Sequence, residues 1–71
     1  MKTFYEFVLT YRGADNEKGI FAEVVFEDST FPRATSEFDD VSNYVEMQGN
    51  TYMSTKVFDA LWSEYASKYS L

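Results

Sequence analysis

The chain predicts an all-α fold, one compact four-helix domain over residues 1–71, on three observations. Apolar residues recur at the i, i+3, i+4, i+7 spacing of a helix face in four separate segments. Capping residues, glycines and one proline punctuate the gaps between them. Seven Phe, six Tyr and Trp62 supply unusually large core side chains in a chain with no Cys and no His. Aromatics bury roughly 150–250 Å² each. They can therefore stabilise a domain of a size that buries only about 60% of its unfolded surface, without a disulfide or a structural zinc.

Thr3 and Glu6 have the spacing of a capping box and predict a helix start there. Phe4, Phe7, Val8 and Tyr11 then form one apolar stripe, which Tyr5 and Leu9 widen, so this helix needs neighbours on two sides. Gly13 is the expected stop, because a glycine turns left-handed at little cost. Asp15 or Asn16 can cap a second helix with Ile20, Phe21, Val24 and Val25 facing inward, Glu23 and Glu27 outward, and Phe26 off the stripe. The β-branched and aromatic run Phe21–Phe26 keeps a strand as an alternative. Pro32 forces Phe31 out of helical geometry and ends this element near Ser29 or Thr30. Asp28 projects near the inward face, where a carboxylate is expected to cap the helix or accept from a tyrosine hydroxyl.

A third helix begins after Thr35 or Ser36, with Phe38, Val41, Tyr44 and Val45 as its stripe, and Gly49-Asn50 ends it. The fourth runs from near Ser54 to about Tyr69. Phe58, Leu61, Trp62, Tyr65 and Tyr69 face inward, and Glu64 with Lys68 forms an outer i, i+4 pair. Short helices with short loops cannot make a long parallel-sided bundle and should cross at varied angles around one aromatic core.

The chemistry available is narrow. Without His or Cys, nucleophilic catalysis would need a Ser–Lys arrangement, and the spacing of the seven serines and four lysines favours none. Glu37, Asp39 and Asp40 are close in sequence, but acid–base work needs a tuned cleft, and the reading here is a solvated face with first-turn acids favoured by the helix dipole. The run Asp15-Asn16-Glu17-Lys18-Gly19 fails as a calcium loop. Its Gly comes one position early, and Phe26 stands where a bidentate Glu belongs. A di-iron site lacks its His, and three glycines make no phosphate loop. No catalytic residue, metal or cofactor is expected. The net charge of −6, concentrated in the middle of the chain, disfavours phosphate backbones and anionic lipid surfaces. The longest apolar runs are three residues, such as Phe7-Val8-Leu9, so no signal peptide or membrane span is expected. The absence of Cys fits a reducing cytoplasm.

Of the six basic residues, Arg12, Arg33 and Lys56 fall at predicted helix ends where they could converge. Lys56 opposes the dipole of its helix, and Tyr52 is the loop aromatic near it that could stack on a base. These four are the candidate partner or nucleic-acid contacts.

Thr3-Phe4-Tyr5-Glu6-Phe7, Tyr11-Arg12, Phe26-Glu27-Asp28-Ser29-Thr30-Phe31-Pro32, Ser42-Asn43-Tyr44-Val45-Glu46 and Phe58-Asp59 with Trp62 and Tyr65 follow one another in a specific order and spacing. Together they resemble the YozE-like family of small proteins from low-GC Gram-positive bacteria, collinearly over essentially the whole chain. The resemblance implies a four-helix fold similar to sterile alpha motif (SAM) domains and assigns no catalytic residue. Gly13 to Gly19 matches no family pattern. The combined reading is a small cytoplasmic, monomeric, non-enzymatic protein-interaction module. The alternative is a nucleic-acid-binding module that uses the basic helix ends.

Overall fold

Thr3 and Glu6 form the capping box that the sequence predicts. Thr3 Oγ1 accepts from the Glu6 N–H at 3.2 Å, and Glu6 Oε1 accepts from the Thr3 N–H at 3.0 Å. In the computed structural model, which describes residues 2–48 and 53–69, this box opens α1 (Phe4–Leu9). The helix stops four residues before Gly13. The N–H groups of Thr10, Tyr11 and Arg12 donate to carbonyls three residues back, at 2.9 to 3.1 Å, a tighter winding common at helix ends. Gly13 then takes φ +87° and turns the chain. The predicted stop signal acts where expected, but the turn before it is no longer α-helical.

Asn16 caps α2 (Glu17–Glu27), its Oδ1 accepting from the Gly19 N–H at 3.0 Å. The inward face differs from the expected one. Gly19, Phe21, Ala22 and Val25 are buried, Val24 is half-buried, and Ile20 is 50% exposed. Gly19 is the physical reason. A Cβ there would lie 1.9 Å from the Ala14 carbonyl oxygen, so the side of α2 that carries Gly19 is seated on the preceding loop and Ile20 is turned away. Phe26 lies off the buried face, as predicted, at 43% exposure. The helix ends at Glu27 rather than at Ser29 or Thr30, with Asp28 as its C-cap in extended geometry. No strand forms among the described residues.

Thr35 prepares α3 (Phe38–Gln48). Its hydroxyl accepts from the Glu37 N–H and donates to Asp40 Oδ2, both at 3.0 Å. Val41 and Val45 are buried and Tyr44 is half-buried. Phe38, predicted on the same stripe, is 42% exposed. The predicted stop at Gly49-Asn50 lies outside the described residues. Ser54 caps α4 (Thr55–Tyr69), its hydroxyl accepting from the Lys56 N–H at 3.2 Å. Val57, Phe58, Leu61 and Tyr65 are buried, while Trp62 and Tyr69 pack against the core partly exposed.

α4 packs against α1, α2 and α3, and α1 also packs against α2. The principal extents of 28 × 25 × 21 Å are nearly equal, as expected when helices no longer than about 22 Å cross at varied angles. Phe4 is the centre of the aromatic cluster. Its ring centroid lies 5.4 Å from Phe58, 5.1 Å from Trp62 and 5.6 Å from Tyr65. Tyr65 is fully buried, yet its hydroxyl donates to the Lys2 carbonyl at 2.5 Å and lies 3.1 Å from Ser36 Oγ. That pairing removes the cost of burying a phenol.

Two predictions follow from this packing. Phe4→Ala should destabilise by roughly 3–5 kcal/mol, whereas Ile20→Ser should stay within about 0.5 kcal/mol, both read from urea midpoints. Gly19→Ala should cost roughly 1–3 kcal/mol, because its Cβ would meet backbone that must move, and an unchanged midpoint would contradict the seating of α2 on Ala14.

Candidate functional site

The basic candidates do not share contacts. Arg12, in the turn after α1, places Nε 3.2 Å from Glu23 Oε1 and its guanidinium 3.6 Å from the centroid of the Phe26 ring, so both its partners belong to α2. Arg33 follows Pro32 and lies over the Tyr5 ring of α1 at 5.2 Å. Lys56 is exposed in the first turn of α4, and no ion pair holds it among the described residues. Tyr52 lies outside the described residues.

Two polar clusters join elements that are distant in sequence. At the C-terminus of α2, Asp28 Oδ1 accepts from the Thr30 N–H at 3.0 Å and the Thr30 hydroxyl at 2.7 Å. Asp28 Oδ2 accepts from the Tyr44 hydroxyl and, at 3.3 Å, from Gln48 Nε2. Burial pushes the Asp28 carboxyl up, but the bonds from Tyr44 and Thr30, together with the nearby Arg33 charge, outweigh it and hold the group below its ordinary value. Burial and the Asp28 hydrogen bond push the Tyr44 phenol up. The expected role of Asp28, a cap that accepts from a tyrosine, is what the geometry provides.

The second cluster was not legible in the sequence. Glu64 of α4 accepts from the Tyr11 hydroxyl on one oxygen and from Lys18 Nζ on the other. The predicted partner Lys68 is replaced because Glu64 sits on the flank of α4 that faces α2. The bonds from Lys18 and Tyr11 hold the Glu64 carboxyl below its usual value. The bond to Glu64 raises both the Tyr11 phenol and the Lys18 ammonium. Lys18 and Glu64 are 46 positions apart, and no local spacing signals such a pair.

Apolar surface forms the rest of the candidate area. Ile20, Phe26, Phe38 and Met47 are 50%, 43%, 42% and 86% exposed. Phe38 contacts Trp62 and Phe58 with ring centroids 5.2 and 5.7 Å apart, so this exposed ring continues the buried cluster outward. Among the described residues no three acidic side chains converge to hold a metal ion. No helix there is long and apolar enough to cross a membrane.

The family model of the YozE SAM-like fold matches residues 3–67. The chain belongs to that family. It is 46% identical over 63 residues to a UPF0346 protein of Staphylococcus saprophyticus, covering 89% of this chain and 86% of the relative. Relatives in Staphylococcus epidermidis and Staphylococcus aureus, also UPF0346 proteins, are 40% and 41% identical over the same 89% of this chain, covering 85% and 86% of their own lengths. No solved structure matches. The YozE-like resemblance and the SAM-like four-helix expectation both agree with these matches. The family's name specifies a fold, so a role must be argued from the faces described above.

The clusters set a pH dependence. Asp28 and Glu64 titrate lower when folded, so each contributes stability that is present above the ordinary carboxylate range near about 4 and is lost as pH falls through the folded value. Tyr11, Tyr44 and Lys18 titrate higher when folded. Their contribution is present below about 10 and is lost as pH rises through the folded values. Asp28→Asn should therefore lower stability at neutral pH by about 1 kcal/mol, and urea titrations should show the difference narrowing near about pH 3. A gap that persists in acid would mean that the charge of Asp28 is not its source.

Proposed function

We propose that this YozE-like protein is a monomeric, non-enzymatic protein-interaction module of the cytoplasm. The observation that carries the reading is the exposure of Phe38 at 42% beside Trp62, an aromatic surface continuous with the core. Single exposed apolar residues are ordinary. A paired aromatic surface backed by packed rings is the kind of anchor at which interfaces concentrate binding energy. The absence of His and Cys from the sequence removes the commonest catalytic groups, and the missing thiol fits a reducing compartment.

Nucleic-acid binding through Arg12, Arg33, Lys56 and Tyr52 is the second reading. It is weakened because two of its cations already stack on aromatics of this chain, Phe26 and Tyr5. The surrounding charge of −6 opposes it further.

Affinity capture from cell extract, with and without nuclease, separates the two readings. Protein partners retained after nuclease support the module, and recovery that nuclease abolishes overturns it. Fluorescence anisotropy gives a quantitative check. Generic duplex DNA should bind no tighter than about 100 μM at physiological salt, the weak end of non-specific association. Micromolar, salt-sensitive binding lost in both Arg33→Ala and Lys56→Ala would favour nucleic acid instead.

A further inference from the structure

The chain supplies cations to several of its own surface aromatics. Arg12 lies 3.6 Å from the centroid of Phe26, Arg33 5.2 Å from Tyr5, Lys18 5.7 Å from Tyr11 and Lys68 6.0 Å from Tyr69. Among the described residues Phe38 and Trp62 have no such cation. They meet edge to face at 72° with centroids 5.2 Å apart.

Carboxylates rim this pair. On α4, Asp59 stands one turn before Trp62 on the same side of the helix. On α3, Asp39 follows Phe38, and Glu46 stands about two turns further on along the row that runs from Phe38 through Ser42. Asp39, Glu46 and Asp59 are exposed. The ion pairs among the described residues are Arg12–Glu23 and Lys18–Glu64, so these three acids enter none. α3 contains no Lys or Arg. The helical spacing puts Lys68 of α4 away from the Asp59–Trp62 row, while Lys56 stands one turn before Asp59, exposed and in no ion pair among the described residues.

We infer that the α3–α4 face around Phe38 and Trp62 docks a cationic segment of a partner protein, with a Lys or Arg side chain over the aromatic pair and its neighbours against Asp39, Glu46 and Asp59. This rests on the interaction-module reading above and names the chemistry of the partner. A cation over an aromatic face and beside carboxylates gains from both. A purely apolar partner would desolvate three carboxylates without pairing them. A second copy meeting this face through its own would bring three carboxylates against three, with only one Lys56 on each side to offset them.

Trp62 is the single tryptophan, so its emission reports on this face. The test titrates the full chain with a synthetic helix-forming peptide of Arg and Leu, and with its counterpart carrying Glu for Arg. The Arg peptide should change Trp62 emission saturably and bind more weakly as salt rises, while the Glu peptide gives no change. Asp59→Asn and Asp39→Asn should each weaken binding about two- to fivefold, with parental circular dichroism confirming that the variants are folded. Glu27→Gln, the same charge change on α2, should leave binding as it was. Flat Trp62 emission, equal response to the Glu peptide, or equal weakening by Glu27→Gln would each overturn the assignment. So would an emission change produced by raising the protein concentration alone, since that identifies a second copy as the occupant. Nuclease-resistant capture together with a flat peptide titration would sink the cationic partner and leave the module standing. Nuclease-sensitive capture would sink the module itself.

Discussion

Every other helix depends on burying part of itself against α4. A chain this short can form only one core, and with no Cys nothing covalent compensates for a poorly covered face. α4 answers that constraint with Val57, Phe58, Leu61 and Tyr65 buried along its length and with contacts to α1, α2 and α3. α1 supplies Phe4 and Phe7 to the same cluster. Electrostatics fits this arrangement. α2 and α3 both carry a net excess of acid, and α4, with two Lys against Asp59 and Glu64, is neutral. Placing the neutral helix against both acidic ones avoids a broad like-charged interface.

α2 illustrates how the remaining specificity is supplied. Its buried face includes Gly19 and Ala22, which contribute little apolar area beside Phe21 and Val25. Side-chain clusters fasten its two ends instead. Lys18 reaches Glu64 near the start, and Asp28 accepts from Tyr44 and Gln48 at the finish. Each cluster pairs a tyrosine hydroxyl with a carboxylate, so it requires the phenol protonated and the acid ionised. That combination holds across the neutral range and fails toward both extremes.

The sequence revealed most where the signal is local. The capping box at Thr3 and Glu6, the Asn16 cap, the Gly13 turn, the offset of Phe26 and the polar role of Asp28 all depend on residues within a few positions of one another or on one helix period. The errors arise where distant residues decide. Ile20 turns outward because the Ala14 carbonyl, in the loop before α2, fixes the side on which Gly19 must sit, a contact that helical periodicity does not register. Glu64 turns from Lys68 to Lys18 and Tyr11 because α2 lies beside it. The partial exposure of Phe38 and Trp62 was equally hidden, since a periodicity argument counts both as inward and cannot see that the α3–α4 boundary leaves their outer edges uncovered. Of the candidate contacts, the cationic character of Arg12 and Arg33 was plain in the sequence, but their use over Phe26 and Tyr5 was not.

What the fold does not consume is where a role must lie. The core uses the buried aromatics and valines. The polar clusters use Tyr11, Lys18, Glu64, Asp28, Thr30, Tyr44 and Gln48. Arg12 and Arg33 are occupied by the chain's own aromatic rings. Among the exposed apolar side chains, subtracting these leaves two kinds of surface. Ile20 and Met47 are isolated apolar side chains on different helices, of the sort that solvent tolerates. Phe38 and Trp62 differ because they are adjacent, are backed by Phe58 and Phe4, and are bordered by acids that enter no ion pair among the described residues. Rigid support lowers the entropic cost of using such a pair for binding, since its rings are already ordered before any partner arrives.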